Sequence, residues 1–237
     1  MKPLENSVAL VTGASRGIGA AAAVELARLG AHVVITARTV GGLEETDDAI
    51  RALGGTATLL PLDLTEGKEI DLIGPTIHAR FGRLDVLVHN AGVLGVLTPV
   101  SHITDKDWNN AIAVNATATL RLMRTTAPLL IYGPAGRAVF VTSRLATEAR
   151  AYWGTYAATK AVLHQLALTW AAENQETRLN INLFDPGATA TRMRADAMPG
   201  EDPKTLPKPC EIATKLAPLC LPSETRSGCL IEAQPRS

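Results

Sequence analysis

Ser7-Val-Ala-Leu-Val-Thr-Gly-Ala-Ser-Arg-Gly-Ile-Gly19 (SVALVTGASRGIG) is the stretch whose reading decides the fold. Its first half, Ser7 to Thr12, is short, apolar and branched, and a glycine closes it, which predicts a buried strand. From Gly17 to Leu29 the chain turns Ala-rich with an apolar stripe at helical spacing, ended by Gly30. The glycines fall between strand and helix. Gly13 suits the turn, Gly17 lets backbone approach a pyrophosphate, and Gly19 lets helix pack on strand. The helix N-terminus beyond them offers free N–H groups and the positive end of a dipole to phosphate.

Outward from this unit the same alternation continues. His32 to Thr36, Ala57 to Leu62, Leu84 to His89, Arg137 to Thr142 and Leu179 to Phe184 read as strands. Between them Leu43 to Leu53, Ile70 to Phe81, a long segment from Thr104, and Tyr152 to about Glu173 read as helices. Thr104 with Asp107 three residues on forms a capping box. Strands joined through helices make right-handed crossovers and a parallel sheet covered on both faces, in keeping with strands that lack polar alternation. A further strand-like segment is Cys229-Leu230-Ile231. The one compositional break, Ala195 to Pro209, has four prolines and several charges and is expected to be a mobile loop inside one domain spanning residues 1–237.

Composition narrows the function classes. The chain has 237 residues, 46% of them hydrophobic and 19% charged, enough for a core without disulfide or metal support. Lys plus Arg and Asp plus Glu both number 23, so no net field draws the chain to nucleic acid or to a membrane surface. The segment Met1 to Asn6 has no apolar leader pattern and no run reaches membrane-spanning length, so a cytoplasmic protein is expected. Cys210, Cys220 and Cys229 lack C-x-x-C spacing and accompanying histidines, which predicts reduced thiols and no metal site. His32, His78, His102 and His164 are scattered without ligand spacing.

Tyr156 and Lys160 stand four apart on one predicted helix and share a face. By itself such a pair is ordinarily a rim contact. A nearby ammonium favours a phenolate, however, and so is expected to lower the pKa of Tyr156 from its usual value of roughly 10. A tyrosine poised in this way exchanges a proton with an alcohol or alkoxide.

Five motifs in register resemble the short-chain dehydrogenase/reductase superfamily along essentially the whole chain. They are Thr12-Gly13-Ala14-Ser15-Arg16-Gly17-Ile18-Gly19; Asp63-Leu64 after strand three; Asn90-Ala91-Gly92, with His89 where the family has a first Asn; Tyr156-x-x-x-Lys160 with Ser143 thirteen residues earlier; and Pro186-Gly187 after strand six. The resemblance implies a single doubly wound Rossmann domain with sheet order 3-2-1-4-5-6-7. It implies hydride transfer between a nicotinamide and a carbonyl or alcohol carbon of a small molecule. Asn115, Ser143, Tyr156 and Lys160 would form the catalytic set, with Lys160 also gripping the ribose and Asn115 holding a water that links the lysine to solvent. Gly13, Ser15, Arg16, Gly17, Ile18, Gly19, Asp63, Leu64, Asn90, Ala91, Gly92, Pro186, Gly187, Thr189 and Thr191 would join Tyr156 and Lys160 in holding the cofactor. Assembly as a homodimer or homotetramer is implied in the same way.

Cofactor choice is read from Thr36-Ala37-Arg38-Thr39, which lacks the acid that binds ribose hydroxyls in NAD-preferring relatives. Arg38 and Arg16 offer a charged clamp for a 2′-phosphate, so NADP(H) is expected, with NAD(H) the alternative. Arg144, Leu145, Trp153, Met193 and Met198 are the candidates for a substrate pocket, the methionines from a substrate loop at about 189–209. Arg144 departs from the small residue that usually follows the serine, and Asp185 from the usual Asn before Pro-Gly. Loop 189–209 resembles a bacterial subgroup without a firmly assigned substrate. A second reading, a non-catalytic NADP-binding regulatory protein on the same fold, is opposed by the intact Tyr156 and Lys160, which such proteins typically lose.

Overall fold

The structure, a computed structural model, describes residues 2–235. The chain runs β1 (Val8–Thr12), α1 (Gly17–Arg28), β2 (His32–Ala37), α2 (Val40–Ala52), β3 (Thr56–Pro61), α3 (Gly67–Asp71), α4 (Ile73–Phe81) and β4 (Val86–His89). It continues through α5 (Asp105–Ile112), α6 (Ala118–Tyr132), β5 (Arg137–Val141), α7 (Gly154–Glu173), β6 (Asn180–Asp185), α8 (Arg192–Ala197), α9 (Pro209–Leu216) and β7 (Leu230–Glu232). The strands form one sheet in the order β3-β2-β1-β4-β5-β6-β7, and every pairing is parallel. This is the doubly wound α/β architecture expected.

Both faces of the sheet are buried along β1, β2, β4, β5 and β6, which explains why these strands read as apolar runs, whereas the edge strands β3 and β7 are partly exposed. Along β1, Ala9 and Val11 join a core layer with Ala23, Leu26 and Leu216, while Val8 and Leu10 point to the opposite layer with Ile77, Leu122 and Leu163. Phe184 and Phe140, each fully buried, serve one layer apiece. Burying a side chain of that size contributes about 1.5–3 kcal/mol, so adjacent strand positions anchor the two helical layers independently.

Three local departures have physical causes. The helix expected over Ile70 to Phe81 is broken at Leu72 into α3 and α4. Pro75 has no N–H to return to Asp71, four residues back, and the freed Asp71 carbonyl takes the Thr125 hydroxyl at 2.8 Å instead. The long helix from Thr104 is α5 and α6 joined by a π-helical turn, Ala113–Thr117. Its N-terminus is capped as expected, the Asp107 N–H donating to Thr104 Oγ1 at 3.2 Å, but the Asp107 carboxylate takes the Thr104 hydroxyl proton rather than a backbone N–H. The stretch 195–209, expected to be a mobile loop, is partly helical: it holds the end of α8 and a 3₁₀ turn at Pro203–Thr205.

Cys210, Cys220 and Cys229 are free thiols. Among the described residues no group of side chains could hold a metal, and no helix is long and apolar enough to cross a membrane.

Candidate active site

The carboxyl ends of β1, β4, β5 and β6 converge on two adjoining cavities, of about 530 and 560 Å³. The first begins at the glycine loop. Gly13 and Gly17 take φ values of +67° and +60°, where a side chain would strain the backbone. A Cβ on Gly13 would lie 2.8 Å from the Cα of Ala91, and one on Gly19 would run into the Gly13 carbonyl. The glycines therefore let three segments meet where any larger residue would hold them apart. Asn90 fastens them, its Nδ2 donating to the carbonyls of Thr12 and Gly13 at 3.2 and 3.3 Å.

His89 and Thr12 complete that junction. Thr12 Oγ1 accepts the backbone N–H groups of Asn90 and Ala91 at 3.2 and 3.1 Å, so its own proton goes to His89 Nδ1, 2.9 Å away. That leaves the proton on Nε2, which donates to Thr119 Oγ1 at 2.8 Å, and Thr119 passes its hydroxyl proton to the Asn115 carbonyl at 2.8 Å. Full burial pushes the pKa of His89 down to about 3, with the Lys160 charge acting in the same direction. The ring is neutral and its tautomer is fixed by its neighbours.

Asn115 sits in the π-helical turn, whose wider winding presents its side chain inward. Its Oδ1 accepts from Val93 N, and its Nδ2 donates to Val93 O and to Thr159 Oγ1, at 2.8, 2.8 and 2.9 Å. Both amide protons are thus spent on protein, clamping the segment after β4 to α7. Gly92 lies in the same corner, where an added Cβ would come within 3.3 Å of Asn115 Oδ1 and 3.6 Å of Lys160 Nζ.

Tyr156 and Lys160 occupy the first turns of α7, 9% and 3% exposed. Lys160 Nζ donates to the Val141 carbonyl at 2.8 Å and lies 5.9 Å from the centre of the Tyr156 ring. Burial lowers the Lys160 pKa to about 8, partly offset by the Asp185 carboxylate. The expected lowering of Tyr156 is corrected by the structure. Burial and then Asp185 push the phenol up to about 12, against a smaller downward pull from the Ser143 hydroxyl. Desolvation of a phenolate outweighs the ammonium because that ammonium is turned toward Val141. Asp185 itself keeps the turn into Pro186-Gly187, its Oδ1 accepting the Gly187 N–H at 2.9 Å. Ser143 lies two residues beyond β5 and accepts from Leu145 N at 3.3 Å, opening a 3₁₀ turn.

Most of the expected residues gather as the sequence implied. Gly13, Ser15, Arg16, Gly17, Ile18, Arg38, Asp63, Leu64, Asn90, Ala91, Gly92, Tyr156, Lys160, Pro186 and Thr191 line the first cavity. Gly19 instead packs behind the loop, while Gly187 and Thr189 line the second cavity. Arg144, Leu145, Trp153 and Met193 line that second cavity, but Met198 does not: its sulfur meets Arg150 Nη2 at 3.7 Å. Not foreseen were Arg150, whose guanidinium carbon lies 5.1 Å from the Trp153 ring centre, and the pairing of Arg194 with Glu201 inside the substrate loop. Only the alternation of charges in loops marked them, and loop side chains have no periodicity to betray a facing partner. Trp153 in turn meets Tyr156 edge-on at 5.9 Å.

The first cavity fits a dinucleotide. Its wall includes the positive-φ glycines, and the buried Thr36 hydroxyl in it has no hydrogen-bond partner among the described residues.

The family model for short chain dehydrogenases matches residues 7–202. The uncharacterized oxidoreductase YciK of Escherichia coli (strain K12) is 36% identical over 240 residues, taking in 98% of this chain and 93% of that protein. The 3-oxoacyl-[acyl-carrier-protein] reductase FabG of Salmonella typhimurium is 33% identical over 189 residues, 80% of this chain and 76% of that one. Among solved structures, a short chain dehydrogenase from Shigella flexneri 2a complexed with NADP superposes with a TM-score of 0.94, at 35% identity and covering 99% of each chain. With its sheet order, glycine loop and Tyr156–Lys160 pair, the chain belongs to the short-chain dehydrogenase/reductase family.

Proposed function

We propose that the protein is an NADP(H)-dependent reductase of small carbonyl compounds. The observation that carries this reading is the shared wall of the two cavities, where Tyr156 borders both the glycine-loop cavity and the cavity lined by Ser143. A dinucleotide laid from Arg16, Arg38 and Asp63 toward Lys160 would bring its reactive end against Tyr156. The NADP complex of the Shigella relative and the reductase name of the Salmonella one support cofactor and reaction class.

When bound, the cofactor supplies or accepts the hydride. Tyr156, kept protonated by its raised pKa, gives its proton to the carbonyl oxygen as that oxygen gains the electron pair of the C=O bond. Ser143 orients the same oxygen through its hydroxyl. Lys160 holds the ribose hydroxyls and stabilises the phenolate left behind, and Asn115 keeps α7 seated against the Gly92 corner. Arg16 and Arg38 hold the 2′-phosphate through charge-assisted bonds. A dimer or tetramer is proposed on family likeness, with native mass as its test.

NADPH oxidation over a panel of aldehydes, ketones and quinones tests the reading, with Tyr156→Phe alongside. Loss of turnover by about 10²–10⁴-fold in the variant supports it. NADPH binding with no Tyr156-dependent turnover points instead to a non-catalytic regulatory protein on this fold.

A further inference from the structure

Three arginines and three carboxylates, Glu148, Asp185 and Glu201, line the second cavity, but they are not paired one to one. The arginines are Arg144, Arg150 and Arg194. Arg194 is neutralised by a two-pronged bond to Glu201, Nε to Oε2 at 2.5 Å and Nη2 to Oε1 at 2.6 Å. Asp185 spends its charge at the floor, on Lys160 and the Gly187 N–H. Arg144 and Arg150 make no ion pair within 4 Å among the described residues, although the Glu201 carboxylate acts on Arg150 from beyond that distance and Glu148 stands on the exposed rim.

Their placement matters more than their number. Arg144 is half-buried and follows Ser143 directly, within the 3₁₀ turn that the Ser143 hydroxyl starts, so its guanidinium is tethered one peptide from the group that meets the substrate oxygen. Arg150 comes from the far end of the same loop. Its guanidinium carbon lies 5.1 Å from the centre of the Trp153 ring, whose edge meets Tyr156, and its side-chain hydrogen bond among the described residues goes to a thioether, a weak acceptor. A guanidinium carries five donors in a rigid fork that matches a carboxylate. Two such forks border the cavity that Ser143 and Tyr156 also line.

We infer that the natural substrate is a carbonyl compound carrying a carboxylate, held by Arg144 with Arg150 closing over it from the Trp153 side. This rests on the carbonyl-reductase reading and adds to it the charge of the substrate. The pairing also orients the molecule. A carboxylate fixed at Arg144 leaves the carbonyl end facing Ser143 and Tyr156, converting a bimolecular encounter into a positioned one.

The test compares 4-carboxybenzaldehyde, its methyl ester and 4-formylphenyl phosphate as substrates with NADPH, in wild type, Arg144→Ala, Arg144→Lys and Tyr156→Phe. In wild type the acid should exceed the ester in kcat/KM by about tenfold or more, equivalent to about 1.4 kcal/mol. Arg144→Ala should remove that advantage, mainly through KM, with the acid losing at least about fivefold more than the ester and Tm retained; Arg144→Lys should recover only part of it. A larger advantage for the phosphate than for the acid overturns the carboxylate assignment in favour of a phosphorylated substrate. An ester turned over as well as the acid, still dependent on Tyr156, overturns the anion site and leaves the reductase reading standing. Turnover of none of them despite bound NADPH overturns both.

Discussion

His89 Nε2 donates to the Thr119 hydroxyl at 2.8 Å, and Thr119 donates onward to the Asn115 carbonyl at 2.8 Å, so a buried histidine from β4 reaches the π-helical turn. Replacing it by a hydrocarbon takes one partner from each of two buried hydroxyls, those of Thr12 and Thr119. His89→Leu should destabilise the protein by about 2–4 kcal/mol, read by denaturant unfolding. The pH dependence has a definite sign. With a folded pKa of about 3, below the unfolded value of about 6.5, His89 contributes stability that is complete above pH 6.5 and is lost as pH falls toward 3. His89→Gln should flatten that slope, at most about 1.4 kcal/mol per pH unit. A variant that keeps the full wild-type slope would assign it elsewhere.

Asp185 acts on both members of the helical pair. Its carboxylate raises the pKa of Tyr156 and that of Lys160. Asp185→Asn keeps an acceptor for the Gly187 N–H but removes the charge, so both pKa values should fall. In the proposed carbonyl reduction Tyr156 gives the proton, so activity would be lost as pH rises through its pKa. The alkaline limb of kcat/KM should therefore move to lower pH in the variant, with little change in Tm. A limb that stays put or moves upward sinks this account.

What could be read in advance divides along a physical line. Strands β1, β2, β4, β5 and β6 were legible because burial on both faces leaves an apolar run, the half-exposed β3 because a short branched segment follows Gly54-Gly55, and Tyr156 and Lys160 because four residues on a helix fix a shared face. The break at Leu72 was legible in principle from Pro75, although the apolar spacing across it masked the signal. The π-helical turn at Ala113–Thr117 was not, since it is held by the contacts of Asn115 with Val93 and Thr159, distant in sequence. The direction of the Tyr156 shift was missed for a related reason. Spacing shows that an ammonium is near but not that it faces Val141, nor how much water the fold removes.

Gly13 carries two constraints at once, a φ of +67° and an added Cβ only 2.8 Å from Ala91 Cα. Gly13→Ala should cost about 1–3 kcal/mol of stability and weaken NADPH binding at least tenfold. Fluorescence titration of NADPH checks it, and unchanged affinity would mean that the loop does not shape the phosphate site.

On the proposed reading, Arg38 would decide between the two nicotinamide cofactors. It follows β2 and pairs with Asp63 only loosely, at 3.9 Å, with the Arg38 side chain 65% exposed. An exposed pair of that length contributes little, so its guanidinium is free to take a better anion. A 2′-phosphate on the adenine ribose is such an anion, and Arg16 borders the same cavity. Charge-assisted bonds to phosphate are worth about 1.5–3 kcal/mol, or roughly 10- to 150-fold in affinity. Arg38→Ala should raise the Kd for NADPH by about that factor and leave NADH within about twofold. Arg38→Asp should go further, because the new carboxylate repels the 2′-phosphate and offers an acceptor to the ribose hydroxyls of NADH. Equal losses for NADPH and NADH would show that Arg38 holds the adenine end by packing, and that cofactor choice lies with Arg16 alone.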